Sequence, residues 1–548
     1  MNPRQLLPRL RHLAGENKLF TGALAAGTLL RLIVMLGYPG ALWFAGDSYV
    51  YVGAALRPQP NLSKSTGYSF FLRALLPFHS FTLVTGLQHL MGLLIAVMIY
   101  VLLRRNGVSK TWSAVATLPQ LLDGYIIEDE HLIMAETLFT FILMIVTLLL
   151  LWRPRPAWWT VLVTGLLVGC AALVRTEGEV MLAVLPVFLL LRSWSWKTVR
   201  GWLMAIVFVV ASLVPVASYA GWFHDYYPQY HKYDLTLSQG FYTWGRVSSF
   251  ANCDIIKPVG AEAKVCPAQP LADRTPPGDY IWHAVYVHKN INSIGGPVSP
   301  QGNQLLTNFA IHAVEAQPLD YAKTVVKGVM LSFGFPRIAY PGAGTTYYYS
   351  FHLHFVGTDP GTGKPESLLP PKNHAWISPL TTPADSAYND WLKYGHEAPG
   401  VVRKIFAAPV AVYQRVVFTY GPLLAVIFLV GLGGLISVSE SARRRGQGWR
   451  SALSFQALRS VRLHWSPRGT SMLPWVTAVA LLVAPIAVAD FDYRYLIPVI
   501  PFACIAAGLA FAPRRSAVGP ASPPASPAET QSKTETETVE STIPDSVS

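Results

Sequence analysis

The chain has 548 residues, of which 52% are hydrophobic and only 13% charged. An ordinary soluble enzyme, with about a quarter of its residues charged, is excluded by that balance. The formal charge of +13 rules out an acidic, solvating chain, and the placement of the basic residues makes a nucleic-acid partner unnecessary to explain it.

A bilayer core about 30 Å thick takes roughly 20 helical residues to cross. Apolar runs predict spans near 18–37, 82–103, 111–127, 135–152, 158–174, 179–192, 201–220, 412–437, 471–489 and 495–512. About ten spans make an all-α polytopic membrane protein. The first run continues at spanning length without a small-residue cleavage site, so it reads as an anchor rather than a cleavable signal.

Basic residues then sort the loops. Arg4, Arg9, Arg11 and Lys18 precede the first span, Arg104, Arg105 and Lys110 follow the second, Arg153 and Arg155 the fourth, and Arg192, Lys197 and Arg200 the sixth. The run from Arg443 to Arg468 follows the eighth. These loops fall on one face, which the positive-inside rule makes cytoplasmic. The expected location is a cell membrane, multi-pass, with contacts to anionic lipid head groups as a secondary use of the charge.

Four segments follow: an N-terminal transmembrane module at 1–220, a large extracytoplasmic loop region of mixed structure at 221–407, C-terminal transmembrane helices at 408–512, and a tail at 513–548. The tail, rich in Pro, Ser, Thr and Glu, cannot build a core and reads as disordered and cytoplasmic. The loop region is too long for a plain connection, which predicts a lid or substrate-binding element. Within it, "PLDYAKTVVKGVMLSFGFP" (318–336) has helical periodicity and is expected along the membrane surface. Cys253 and Cys266 lie on the side where disulfides persist and are expected to bridge, the alternative being two free thiols. Cys170 and Cys504 fall in apolar spans and read as buried thiols.

On this topology the polar groups gather at the outer rim. Asp47 follows the first span in "ALWFAGDSYVYVGAALRP"; it is either a solvated acid past a helix end or a base. Lys64 and Arg73, further along the same outer loop, are candidates to hold an anion beside it. Arg175 in "LVRTEGE" and Arg494 in "ADFDYRYLIP" each sit at an outer span end. A guanidinium there suits phosphate; it can equally snorkel or pair with Glu177 or Asp492. Tyr495 adjoins Arg494 and is placed with the same binding group. In "EDEHLIMAE" (128–136) the acids read as a solvated turn, with His131 and Glu136 as alternative ligands for a divalent metal ion. Glu136 alone can cap the following helix through its dipole. No cofactor is assigned with certainty.

The segments "AGDSYVYVGAAL", "MAETLFTFIL", "GLLVGCAALVRTEGEVML" and "DYRYLIPVIPF", in this order and on this face, resemble the polytopic GT-C glycosyltransferases. Their nearest likeness is to the bacterial branch related to protein O-mannosyltransferases and the lipid A aminoarabinose transferase. The resemblance implies transfer of a sugar from a polyprenyl-phosphate carrier to an acceptor hydroxyl on the extracytoplasmic face, with inversion. It implies Asp47 as base or acceptor-positioning acid, and Arg175 and Arg494 on the carrier phosphate. Trp244 and Arg246 in the outer loop are then expected to shape the sugar and acceptor site. Many relatives carry two adjacent acids in the first loop, where this chain has Asp47 alone between Gly46 and Ser48. The implied partners are the lipid-linked donor, a protein, lipid or cell-wall glycan acceptor, and membrane lipids. The alternative is a transporter or flippase of a lipid-linked sugar. It would favour polar groups deep within spans and related halves, and no internal repeat is visible.

Overall fold

The computed structural model describes residues 17–44, 47–194, 197–283, 291, 294–340, 342, 346–358, 365–369, 387–397, 400–435 and 470–512. The tail and the Arg443–Arg468 run lie outside them, as do Ala45 and Gly46 beside Asp47.

With short turns set aside, the helices begin with α1 Lys18–Gly37, α2 Ser48–Leu56, α3 Gly67–Leu75 and α4 Phe81–Arg105. Three short helices follow, α5 Lys110–Val115, α6 Leu118–Leu122 and α7 Gly124–Asp129, then α8 Glu136–Trp152, α9 Trp158–Val174, α10 Glu179–Phe188 and α11 Val199–Tyr226. Between α11 and the closing helices the chain holds α12 Gln239–Ser248, α13 Pro300–Ala316, α14 Pro318–Leu331, a two-stranded antiparallel ribbon of β1 Val356–Thr358 and β2 Pro365–Ser367, and α15 Ala387–Gly395. The chain closes with α16 Lys404–Val416, α17 Gly421–Leu435, α18 Met472–Val488 and α19 Leu496–Ala510.

Among the described residues four helices are long and apolar enough to cross a bilayer: Lys18–Gly37, Phe81–Arg105, Val199–Tyr226 and Tyr493–Ala510. A fifth span results if α16 and α17, bent by 58° at their junction, are taken together. The shorter apolar helices α8, α9 and α18 have 17 residues each, about 25 Å at 1.5 Å per residue. On α11, Val199, Leu203, Ile206, Val210 and Val214 are all more than half exposed. A stripe of that kind has lipid, not water, as its solvent.

The run 111–127, expected as one span, is three helices instead. Pro119 stands in the first turn of α6, and the Asp123 carboxylate caps α7 by accepting from Tyr125 N at 2.8 Å. The run 412–437 likewise breaks at 417–420, between α16 and α17.

The acidic turn at 128–131 is not solvated. Glu128, Asp129, Glu130 and His131 are each 1% exposed. Glu130 is received by Arg31, hidden in the first apolar run. Its Nε and Nη2 both donate to Glu130 at 2.7 Å, and its remaining donors reach Gly27 O, Leu121 O and Gln120 O. His89 from α4 joins Glu130 at 2.9 Å and His131 at 3.1 Å. Gly92 leaves the room for this, since a Cβ there would stand 1.8 Å from Glu130 Oε1. Replacing Arg31 by Leu strands a buried carboxylate, so the variant is expected to lose about 3–5 kcal/mol. Thermal unfolding in detergent checks this, and Glu130→Leu added to it should restore most of the loss.

Outside the membrane helices, Phe241, Trp244, Val265, Ile281, Leu306 and Phe309 form a second apolar core. Cys253 and Cys266 are bridged at its edge, their Cα atoms 6.3 Å apart. On α14, Leu319, Val326 and Met330 are more than half exposed, as is Lys323 beside them, a composition suited to the bilayer surface.

Candidate functional site

Asp47 stands at the N-cap of α2, and its place is set by backbone pairing between the segments around Leu42 and Leu132. Leu42 N donates to His131 O at 2.9 Å and Ile133 N to Leu42 O at 3.1 Å, while the Ser48 hydroxyl donates to Ile133 O at 3.0 Å. The first loop is thereby fixed against the segment that leads into Glu136. At the far end of α2, Arg57 grips Asp390 of α15 with both terminal nitrogens, at 2.8 and 2.7 Å.

Lys64 reaches Asp47 from a loop fastened on both sides. Asn61 Oδ1 accepts from Ser63 N at 2.8 Å and Lys64 N at 3.3 Å, forming a local turn. The outer region then holds that turn, with Leu237 N on Leu62 O at 2.7 Å and the Ser238 hydroxyl on Ser63 O at 2.9 Å. Gly67 lets α3 press against the end of α9, because a Cβ there would meet Leu173 O at 2.4 Å. Arg175 follows immediately on α9. Arg494 lies in the turn before α19, where Asp492 Oδ1 accepts from its backbone N at 3.2 Å.

These parts make one chain of alternating charge. Lys64 Nζ is 2.6 Å from Asp47 Oδ1, and Arg494 Nη1 is 2.5 Å from Asp47 Oδ2. Arg494 Nε lies 3.2 Å from Asp492 Oδ2 and 3.9 Å from Glu136 Oε1. Arg175 pairs with Glu136 and, at 2.7 Å, with Glu177. Tyr349 donates to Asp492 at 2.8 Å, and Tyr495 lies under both arginines, 5.8 Å from Arg175 and 5.6 Å from Arg494. Four carboxylates face three cations, so the cluster carries one negative charge in excess when all are ionised.

Asp47 is 3% exposed and Glu136 fully buried. Burial alone would raise the Asp47 pKa, but Lys64 and Arg494 outweigh it and hold the carboxyl well below the usual carboxylate range. Burial draws Asp492 the other way, upward. As it stands, Asp47 is a weak base, and both its oxygens are occupied.

Asp47, Lys64, Arg175, Glu177, Arg494 and Tyr495 therefore meet, as the topology anticipates. Arg73 does not join them, because its guanidinium donates to Ala55 O at 2.9 Å. Trp244 is wholly buried in the second core, its indole nitrogen donating to Val265 O at 2.8 Å. Arg246 points to Asp490, 3.8 Å away. His131 and Glu136 do not converge as metal ligands. The His131 ring is bonded at Nδ1 to His89 and at Nε2 to Tyr38 O, 2.8 Å away, and Glu136 is taken by Arg175. Among the described residues no group of three or more His, Cys, Asp or Glu side chains could hold a metal ion. Sequence reading missed Tyr349 and the ion-pair role of Glu136. The phase of "MAE" at a helix start carries the only signal for Glu136, and nothing marks Tyr349.

The Arg246 and Asp490 pair joins α12 to the end of α18. Asp490 also accepts from Tyr340 at 2.8 Å and Gly278 N at 2.7 Å, and burial pushes its pKa up to about 6. A carboxyl that ionises near 4 when unfolded then binds more protons in the native state between those values. Stability should fall as pH rises from about 4 to about 6 and level off above. Melting temperatures across that window should lose this slope in Asp490→Asn.

No family model and no curated protein matches the chain. Among solved structures it is similar to the Saccharomyces cerevisiae protein O-mannosyltransferase Pmt1-Pmt2 complex bound to the sugar donor, with TM-score 0.31, 14% identity, and 48% of this chain over 38% of that one. It is also similar to the Archaeoglobus fulgidus oligosaccharyltransferase in the apo form, with TM-score 0.37, 13% identity, and 89% of this chain over 50% of that one. A third is the Archaeoglobus fulgidus oligosaccharyltransferase AglB in complex with an inhibitory peptide and a dolichol-phosphate, with TM-score 0.35, 12% identity, and the same coverage of 89% and 50%. The chain thus spans half or less of the solved chains it matches, and the functional reading rests on the site.

Proposed function

We propose that this protein is a membrane glycosyltransferase that moves a sugar from a polyprenyl-phosphate carrier to an acceptor hydroxyl on the extracytoplasmic face. The observation that carries this reading is the grip of Lys64 and Arg494 on the two oxygens of Asp47, at 2.6 and 2.5 Å. Cations that can hold a phosphate are the same ones that restrain the base.

The carrier phosphate enters between Lys64, Arg494 and Arg175 and draws the first two from Asp47. The freed carboxylate regains basicity beside the acceptor. It takes the hydroxyl proton as that oxygen attacks the anomeric carbon, and the carbon–oxygen bond to phosphate breaks with its electron pair leaving on the carrier. Arg175 and Arg494 stabilise the charge gathered there, a contribution of a few kcal/mol. Direct displacement inverts the anomeric carbon. Glu136 pairs with Arg175 and so keeps that cation at the site.

A transporter would use the same rim and need no base. It would also need polar groups lining a path through the spans. The deep polar cluster at Arg31, Glu130 and His89 is closed on itself by hydrogen bonds, which favours the enzyme. The test is transfer by the purified chain supplied with radiolabelled polyprenyl-phosphate sugars and an envelope extract as acceptor, beside Asp47→Asn. Transfer lost in the variant supports the reading; transfer retained overturns the role of Asp47, and carrier movement across vesicles without transfer favours the transporter.

A further inference from the structure

The buried cluster at the root of the first loop needs more hydrogens than its side chains carry at neutral pH. Three contacts run in series: Glu130 Oε2 to His89 Nδ1 at 2.9 Å, His89 Nε2 to His131 Nδ1 at 3.1 Å, and His131 Nε2 to Tyr38 O at 2.8 Å. Each is a hydrogen bond only if one hydrogen lies between its two heavy atoms. An ionised Glu130 brings none, and two neutral imidazoles bring one each. Two hydrogens for three contacts leave one pair of lone pairs face to face, in a place where all three side chains are buried and an unmet polar group is costly.

The missing hydrogen can be located. A carbonyl only accepts, so His131 Nε2 carries a hydrogen. Burial pulls the His131 pKa down to about 3, which keeps that ring neutral and leaves its Nδ1 an acceptor. His89 Nε2 then donates to it. The contact that remains, His89 Nδ1 to Glu130 Oε2, closes only with a third hydrogen, whichever of the two atoms it sits nearer.

The neighbours do not supply it. Arg31 from α1 donates to both Glu130 oxygens, Gln120 from α6 lies 3.5 Å from Oε1, and Gln88 from α4 donates to Glu130 O and Leu132 O. On α7, Glu128 lies toward Tyr38, and Asp129, which accepts from Thr137, lies toward Glu136 and Arg175. Tyr413 of α16 donates to Leu122 O and the Tyr38 phenol to His352 O. Among the described residues no other side chain bonds either imidazole.

We infer that Glu130, His89 and His131 together bind one proton more than an ionised acid and two neutral imidazoles, held between Glu130 and His89, and that this proton fastens the first loop to α4. Once it leaves, one of the three contacts has to open. Switching both rings to their other tautomers only passes the vacancy along the chain to Tyr38 O. Tyr38 ends α1 and begins the loop that leads to Asp47, so the joint is closed at neutral pH and loosens in alkali. This holds whether or not Asp47 acts as a base.

Unfolded, the imidazoles titrate near 6.5 and the acid near 4.3. Above about pH 7 the native trio therefore binds three hydrogens and the unfolded trio two, and stability falls as pH rises until the native proton is lost. Melting of the full chain in detergent, with hydrogen exchange of residues 38–44, would be followed from pH 7 to pH 9.5. One extra native proton multiplies the unfolding constant by about ten per pH unit. His89→Leu leaves Glu130 with Arg31 and His131 with Tyr38 O; His131→Leu lets a neutral His89 donate from Nδ1 to Glu130. Neither variant needs the third hydrogen, so each should melt lower at pH 7 and lose this part of the slope. Gln88→Leu strands Glu130 O and Leu132 O without changing the count, and should melt lower while keeping the slope. In the unaltered chain, exchange at 38–44 should accelerate with pH more steeply than first order in hydroxide, a readout that needs no variant to fold. An unchanged slope in both histidine variants, a slope flattened equally by Gln88→Leu, or first-order exchange at 38–44 would each overturn the inference.

Discussion

Asp47→Asn is expected to lower sugar transfer by roughly 10²–10⁴-fold, the range a positioned general base contributes, and at the same time to tighten binding of the carrier. The second effect separates this site from one in which Asp47 merely shapes the fold. Four carboxylates and three cations give the cluster a negative excess when all are ionised, and on the proposed reading a carrier phosphate has to displace the Asp47 carboxylate from Lys64 and Arg494. Asn keeps the shape and removes the charge that competes. Single-turnover transfer and carrier retention by the purified variant measure both effects. Loss of transfer with weakened retention would mean that Asp47 organises the cations rather than acting as base.

The same geometry sets the pH dependence. Lys64 and Arg494 hold Asp47 well below the usual carboxylate range. Its stabilising contribution is thus fully present above about pH 4 and lost only as pH falls through the lower native value. Once the phosphate has taken the cations, that depression is relieved. The acid limb of kcat, which reports the loaded protein, should then lie at higher pH than any limb due to Asp47 in kcat/KM, which reports the free one. Coincident limbs would show that the carrier does not disturb the Asp47 pairs.

Much of this site was legible because outer span ends are easy to find. Asp47, Arg175 and Arg494 sit where apolar runs stop, and the topology expected from the basic loops puts all three on one face. What stayed hidden depends on partners far away in sequence. Glu128 to His131 look solvated on composition alone, yet all four are buried, and Glu130 is received there by Arg31, a single charge in a long apolar run. Arg73 and Trp244 have the right chemistry in the right region, yet a backbone carbonyl and a small core claim them first. The run at 111–127 is apolar enough to span, and a proline and a capping aspartate divide it. Hydropathy reports solvent preference over a window, whereas a break is decided by one or two residues.

Arg494→Ala should be the most damaging single change at the rim, because Arg494 touches three of the four carboxylates. Removing it strands Asp47 Oδ2 and takes a positive charge from beside Asp492 and Glu136, which keep Tyr349 and Arg175, in a site where Asp47 and Glu136 are almost wholly buried. Breaking a buried pair in this way costs about 3–5 kcal/mol, so the melting temperature should drop clearly and transfer should disappear with carrier retention. Arg494→Lys keeps the charge but cannot meet Asp47 and Asp492 from one planar group. It should recover stability more than activity. The decisive comparison is the double variant Arg494→Ala with Asp47→Asn. If the two side chains act as one ion pair, removing the stranded carboxylate returns part of the lost stability, and the two losses fail to add by about 1–3 kcal/mol. Carrier retention should stay low in that double variant, because the cation that receives the phosphate is gone. Additive losses in stability would mean that Lys64 alone satisfies Asp47, and Arg494 would then belong to Asp492 and Glu136 rather than to the base.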